Sequence, residues 1–163
     1  MTLETIFLNT SVAKLNQSTE RIAACLGKLT DGQIWARGNE NENAAGNLVL
    51  HLVGNVRQWI IHALGGQPDV RVRDHEFSAT GEYSAEELVS RLKSTVAEAT
   101  AVISGLSSEQ LIRNYTVQNR TGPGLEMILH VVEHFGQHTG QIIFITKALT
   151  GQDLAFYMPR RKV

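Results

Sequence analysis

Apolar residues recur at spacings of three and four along four separate stretches of the chain, with polar, turn-forming runs between them. The first stretch, 3–29, carries Leu3, Ile6, Phe7, Val12, Leu15, Ile22, Leu26 and Leu29, with Lys14, Glu20, Arg21 and Lys28 interleaved. This spacing predicts a long amphipathic helix with a charged outer face, ended by Asp31-Gly32. The second stretch, 44–64, is apolar on most sides. Asn43 is placed to cap its start, and Gly65-Gly66 and Pro68 to close it. The third opens on the capping box Ser84-Ala85-Glu86-Glu87 and runs to Ser104, before Gly105. Its stripe is Leu88, Leu92, Val96, Ala99 and Ile103, with Glu87, Arg91, Lys93 and Glu98 outside it. The fourth runs over 125–149 and stops at Gly151.

The connections carry weaker signals. Residues 32–43 hold Trp35, Arg37 and the polar run GNENEN, and are predicted as a loop. Residues 66–83 are polar and turn-rich without a period. A short helical turn is expected over Ser108–Ile112 and an extended piece over Tyr115-Thr116-Val117. A loop over Asn119–Gly124 follows, ended by Gly122-Pro123-Gly124. The tail, Leu154–Val163, contains Phe156, Tyr157 and Pro159. It is expected to pack on the bundle and then fray through Arg160, Arg161 and Lys162. Four long helices without a strong strand signal predict an all-α fold, a four-helix bundle forming one domain over 1–163. The connections at 65–83 and 105–124 are long enough for crossovers.

Composition narrows the class. With 42% hydrophobic and 19% charged residues the chain has ordinary globular content, which argues against disorder. Lys plus Arg is 15 against 16 for Asp plus Glu, a net charge of −1, so no basic excess supports nucleic-acid binding as the main function. The single cysteine, Cys25, sits among Ile22, Ala23, Leu26 and Leu29. It is expected to be a packed core thiol in a reducing cytosol. The first residues lack a basic start followed by an apolar run, and no apolar run reaches the roughly 20 residues of a membrane span. A cytoplasmic protein is expected.

Two helices carry unusual polar stripes. The second has Asn47, His51, Asn55, Gln58 and His62; the fourth has Glu126, His130, Glu133, His134, Gln137 and Gln141. A polar stripe is ordinarily a solvent face. Solvent faces, however, usually carry Lys, Glu and Arg, as the first and third helices do, whereas these stripes are rich in His, Asn and Gln. Gly54, Gly136 and Gly140 also lie inside these helices, each at a cost of about 1 kcal/mol relative to Ala. They suggest close helix approach or room beside a site.

The segment HVVEHFGQHTGQ places His134 and His138 four residues apart. In a helix that is a rotation of about 40° and a rise of about 6 Å, so both imidazoles leave one face. Two stripes facing inward would let His51 join them around one ion, a usual arrangement in a bundle core. From the residues alone His51 is the third nitrogen only by elimination. His62 lies on nearly the same face but roughly 16 Å further along, too far to share an ion with His51. His130 suits a supporting or helix-start role, and His75 a solvated loop. Three neutral imidazoles suit Zn²⁺ or Ni²⁺, and also Fe²⁺, Co²⁺ or Mn²⁺, and leave positions open for water or substrate. Glu133, Gln137, Gln141 and Asn55 are candidates to hold the second ring nitrogens.

NLVLHLVGNVRQWI (47–60) together with HVVEHFGQHTGQI (130–142) resembles the DinB-like superfamily of metal-binding four-helix bundles. GQIWARGNENENAAGN and ITKALTGQDLAFY resemble one bacterial branch of it. The resemblance implies a bundle of unusual helix order and a metal triad at His51, His134 and His138. It also implies a homodimer. Characterised relatives are similar to transferases and isomerases that use low-molecular-weight thiols such as mycothiol, bacillithiol or glutathione. The expectation is a metal-dependent thiol S-transferase acting on a small-molecule electrophile. Arg37, Arg57, Arg113 and Arg120 are candidates to meet the thiol's carboxylates. The alternatives are a metal-dependent hydrolase, with Glu133 the nearest carboxylate, and a non-catalytic dimeric metal-binding bundle.

Overall fold

The computed structural model describes residues 2–156. The first helix, α1, spans Leu3–Leu26 and is capped by Thr2, whose hydroxyl accepts the Thr5 N–H. It stops three residues before the predicted end. The chain turns at Gly27, and Thr30 and Gln33 then form a reciprocal capping box that starts a four-residue helix, α2, Asp31–Ile34. Ile34 drops into the core, and the Trp35 indole N–H bonds the Tyr83 carbonyl at 3.1 Å.

The second long helix, α3, spans Ala45–Val56 and continues as a π-helical stretch, Arg57–His62. Its cap is Ala44 rather than Asn43. The side chain of Asn47 reaches back and accepts the Ala44 N–H at 3.2 Å, satisfying one of the free donors of the first turn. The run after it, predicted as an irregular connection, contains a helix, α4, Arg73–Ser78. The third long helix, α5, is Ala85–Ser104 and uses the predicted capping box: Ser84 Oγ accepts the Glu87 N–H, and the Glu87 carboxylate accepts the Ser84 N–H. Helix α6, Ser108–Ile112, leads into an antiparallel hairpin of β1, Asn114–Val117, and β2, Arg120–Pro123. The second strand occupies the segment predicted as a loop. Gln118 makes the turn with a left-handed φ of 53°. The last long helix, α7, is Gly124–Thr150, ended by Gly151 at φ 67°.

Each of α1 and α3 packs against both α5 and α7, so around the bundle the order is α1, α5, α3, α7. Sequence neighbours α1 and α3 therefore face each other across a diagonal, as do α5 and α7. The crossovers are the segment between α1 and α3 and the hairpin-bearing segment between α5 and α7. The connection over 65–83 joins neighbours instead, and folds back over α3 through α4. The core is apolar and contiguous: Leu15, Ile22 and Leu26 meet Leu52, Ile60, Leu88, Leu92, Ile128 and Phe135, all buried. Each such side chain stabilises by about 1.5–3 kcal/mol. Cys25 is buried and free, and burial pushes its thiol up, against an opposing bond from Thr146. Leu154 is buried and Phe156 packs on the core, with Arg21 over its ring; Tyr157, Pro159 and the expected fraying through Arg160, Arg161 and Lys162 lie outside the described residues. Among the described residues, no helix is long and apolar enough to cross a membrane.

Candidate metal centre

The polar stripe of α3 is not a solvent face. Asn47, His51 and Asn55 are buried at 0%, 7% and 4% exposure. Asn47 uses its whole amide. Its Nδ2 donates to the carbonyls of Glu76 and Ala79 at 3.0 and 2.9 Å, and its Oδ1 accepts from Ala44 N and Arg37 Nη2. These bonds dock α4 onto α3 through polar contacts. One turn further, His51 Nδ1 lies 2.9 Å from Glu76 Oε2, and its Nε2 lies 2.8 Å from His134 Nε2. On α7 the predicted stripe divides. His130 and His134, with His138 beside them, turn toward α3, half-buried, while Glu126, Glu133, Gln137 and Gln141 stay exposed.

His51, His134 and His138 each offer one nitrogen, and these atoms lie within 4.8 Å of one another, close enough to hold one metal ion. Their rings meet edge to face, with centroids 4.4 Å apart for His134–His138 and 5.0 Å for the other two pairs. Acceptors set two of the tautomers. The Gln141 carbonyl oxygen sits 2.6 Å from His138 Nδ1, so Nδ1–H donates and Nε2 keeps a lone pair. That Nε2 is buried and has no hydrogen-bond partner. The Glu76 carboxylate likewise takes the Nδ1 proton of His51, turning its Nε2 lone pair to the centre. Burial, then the neighbouring His138, His51, His130 and Arg71, push His134 down to about 3, so it is neutral at physiological pH. Burial also lowers His138, against the Gln141 bond, which raises it.

Behind His51 stands a buried ion pair. Arg71 grips Glu76 with a fork, Nε to Oε1 at 2.7 Å and Nη2 to Oε2 at 2.9 Å, and its Nη1 donates to Gln58 Oε1 at 2.9 Å. Gln58 in turn bonds Asp69 and accepts from Gln118 of the hairpin turn. Burial works to raise the Glu76 carboxyl, but the bonds from Arg71 and His51 and their charges outweigh it and hold the group below its usual range. Gly54 makes the room: a Cβ there would collide with the Glu76 carboxylate and lie 3.0 Å from Arg71 Nε.

A family model described as "Protein of unknown function (DUF1572)" matches residues 2–161. The chain belongs to the DUF1572 family. Its fold is DinB-like. It matches a DinB-like protein from Bacillus cereus at TM-score 0.70 and 14% identity, over 91% of this chain and 95% of that one. It matches another from Bacillus subtilis at TM-score 0.70 and 19% identity, over 93% and 99%. A mycothiol-dependent maleylpyruvate isomerase shares the fold at TM-score 0.63 and 14% identity, over 83% of this chain and 60% of that one. No curated protein matches the chain in sequence.

The other residues singled out in this DUF1572 chain have separate fates. His62 Nδ1 bonds the Gln67 carbonyl at the end of the π-helical stretch, and exposed His75 pairs with Glu82 at 3.3 Å. His130 stacks on His134 at 5.6 Å and lies 4.2 Å from the Trp59 ring, so it walls the triad without joining it. Of the four candidates for the second ring nitrogens, Gln141 has that contact. Asn55 Oδ1 is buried without a partner among the described residues, and Glu133 and Gln137 are exposed. Gly136 and Gly140 face open space, unlike Gly54. Arg57 pairs with Glu98, Arg113 lies over the Tyr115 ring, and Arg120 lines a small pocket with His130 and Trp59. Arg37 lines a groove of about 860 Å³ between the 36–43 loop and α7, with Leu48, Gln137, Gln141, Phe144 and Leu149. Arg71 and Glu76 were not singled out. The one sequence signal for them was Gly54, a glycine inside a helix with no turn to make.

Proposed function

We propose that the protein binds one divalent metal ion on His51, His134 and His138 and joins a low-molecular-weight thiol to an electrophile there. The observation that carries this is His138 Nε2, a buried lone pair without a hydrogen-bond partner, set beside the ring nitrogens of His51 and His134. A buried acceptor left unsatisfied is costly unless something fills the gap, and three neutral imidazoles are a donor set for a borderline cation. A divalent ion so placed supplies the Lewis acidity that lowers the pKa of a thiol brought to it.

The chain's own residues do the rest. Glu76 and Gln141 accept the Nδ1–H groups of His51 and His138, so the Nε2 atoms of both face the centre. Gln141 also lines the large groove, which contains none of the three histidines and adjoins the triad through Gln141 behind His138. There Arg37 offers a cation for a carboxylate, and Leu48, Phe144 and Leu149 offer apolar surface for the electrophile. The fold shared with a mycothiol-dependent isomerase supports the thiol as co-substrate. A hydrolase would need a carboxylate base, and neither near carboxylate suits: Glu133 is exposed, and Glu76 is spent on Arg71 and His51.

Elemental analysis of tag-free protein is expected to find one divalent ion per chain, lost in His51→Ala with helical content kept. The loaded protein is expected to consume thiol from a panel of low-molecular-weight thiols with monochlorobimane as electrophile. Bound metal without thiol consumption would sink the transferase and leave the metal site standing.

A further inference from the structure

The buried Glu76–Arg71 pair has no chemistry of its own in the proposed reaction, and taking two charges out of water is unfavourable unless the geometry is excellent. Here the geometry is good. Both guanidinium edges that face the carboxylate bond it, and the side chains are 4% and 7% exposed. The pair sits on a segment without hydrophobic periodicity, pinned by Asn47 and by Arg37, which bonds the Phe77 carbonyl at 2.7 Å. Gly54 stands at the facing position of α3, where any side chain would displace the carboxylate. The order around Glu76 is specific: Arg71 occupies both oxygens, and Oε2 still takes the His51 Nδ1 proton. Two groups compete for His51 Nδ1: Arg71 Nη2, a donor, at 3.2 Å, and the Glu76 carboxylate, an acceptor, at 2.9 Å; the shorter contact to the carboxylate sets Nδ1 as the donor.

We infer that Glu76 is a positioning residue that locks His51 in the Nδ1–H tautomer and in the ring orientation needed for metal binding, with the Arg71 fork fixing the carboxylate in place and Gly54 making its seat. This rests on His51 being a metal ligand, as proposed above. Carboxylates behind ligating imidazoles fix tautomer and orientation in this way, and their loss typically costs about 10–100-fold in metal affinity. Arg71, engaged with Glu76 and Gln58, is thereby assigned to the scaffold and not to substrate.

The test uses the full chain and Zn²⁺ or Co²⁺ alone as probe. Chelator competition is expected to show affinity lowered by about 10–100-fold in Glu76→Gln. Gly54→Ala, which leaves Glu76 and Arg71 in the chain but puts a Cβ where the carboxylate sits, is expected to give a comparable loss. In a Glu76→Ala background Gly54→Ala is expected to add nothing, because the carboxylate it displaces is gone. Imidazole nitrogen NMR of the metal-free protein is expected to show one His51 tautomer in the wild type and a mixture in Glu76→Gln. Circular dichroism checks that each variant is folded. Unchanged affinity and tautomer in a folded Glu76→Gln, or a full further loss from Gly54→Ala in the Glu76→Ala background, would overturn the inference. If the wild type takes no metal, the metal proposal falls, and the tautomer measurement still decides what Glu76 does to His51.

Discussion

Arg71→Met removes the cation from a pair whose side chains are 4% and 7% exposed, and leaves the Glu76 carboxylate buried. Breaking such a pair from one side costs about 3–5 kcal/mol, because the remaining charge has lost its compensation. Glu76 still has the His51 Nδ1–H as donor at 2.9 Å, which places the expected loss near the lower end, about 3 kcal/mol. For a chain of this length each kcal/mol moves the melting temperature by about 2–4 °C, so a fall of about 6–12 °C is expected. The assay is thermal and urea unfolding by circular dichroism, in chelator at neutral pH, beside the double variant Arg71→Met/Glu76→Gln. The double variant buries no charge and is expected to recover at least half of the loss. The pH dependence has a definite sign. In the wild type the Glu76 pKa is held below the unfolded value of 4.5, so its contribution is complete above that pH and is lost as pH falls through the folded pKa. In Arg71→Met burial dominates, the carboxyl rises above that value, and protonation relieves the cost. The gap between variant and wild type therefore narrows as the solution is acidified. An Arg71→Met protein that melts with the wild type, or a double variant no better than the single, would refute the reasoning.

Two further outcomes follow from the triad. His134 is held down to about 3 in the folded chain against 6.5 unfolded, first by burial. Stability of the metal-free protein is therefore complete above pH 6.5 and declines toward pH 3. His134→Gln is expected to flatten the fall of the urea midpoint with acid, and equal slopes would count against it. Gln141 is exposed yet holds His138 Nδ1 at 2.6 Å. Gln141→Ala is expected to leave stability within about 0.5 kcal/mol and to lower metal affinity by about 10-fold in chelator competition.

The long helices were legible because their signals are local. The stripe Leu88, Leu92, Val96, Ala99, Ile103 and the Ser84–Glu87 box lie within one segment, and α5 obeys both. The cap of α3 falls at Ala44 rather than Asn43: no side chain caps the helix from outside, and Asn47 accepts the Ala44 N–H from within it. Helix α4 was not legible, since Asn47 and Arg37 hold it from 29 and 40 residues away, and such bonds leave no period. The same limit divides the site. His134 and His138 announce themselves by helical spacing, whereas His51 needed the resemblance to be chosen. Glu76 stands 25 residues from the imidazole it holds, in a stretch with no pattern. Strand β2 lies in a segment where Gly122, Pro123 and Gly124 signal a loop; its pairing with β1 supplies the order instead.

The helix order has a consequence for how the chain holds together. His51 and His134 touch across the α3–α7 seam although 83 residues separate them. An ion held by both is a removable staple on that long loop. Because the ion leaves when the chain unfolds, it stabilises by mass action, about 2.7 kcal/mol at a free concentration one hundred times its dissociation constant. Withdrawing metal would then unfasten the seam between α3 and α7, while the cap and stripe that define each helix stay in place.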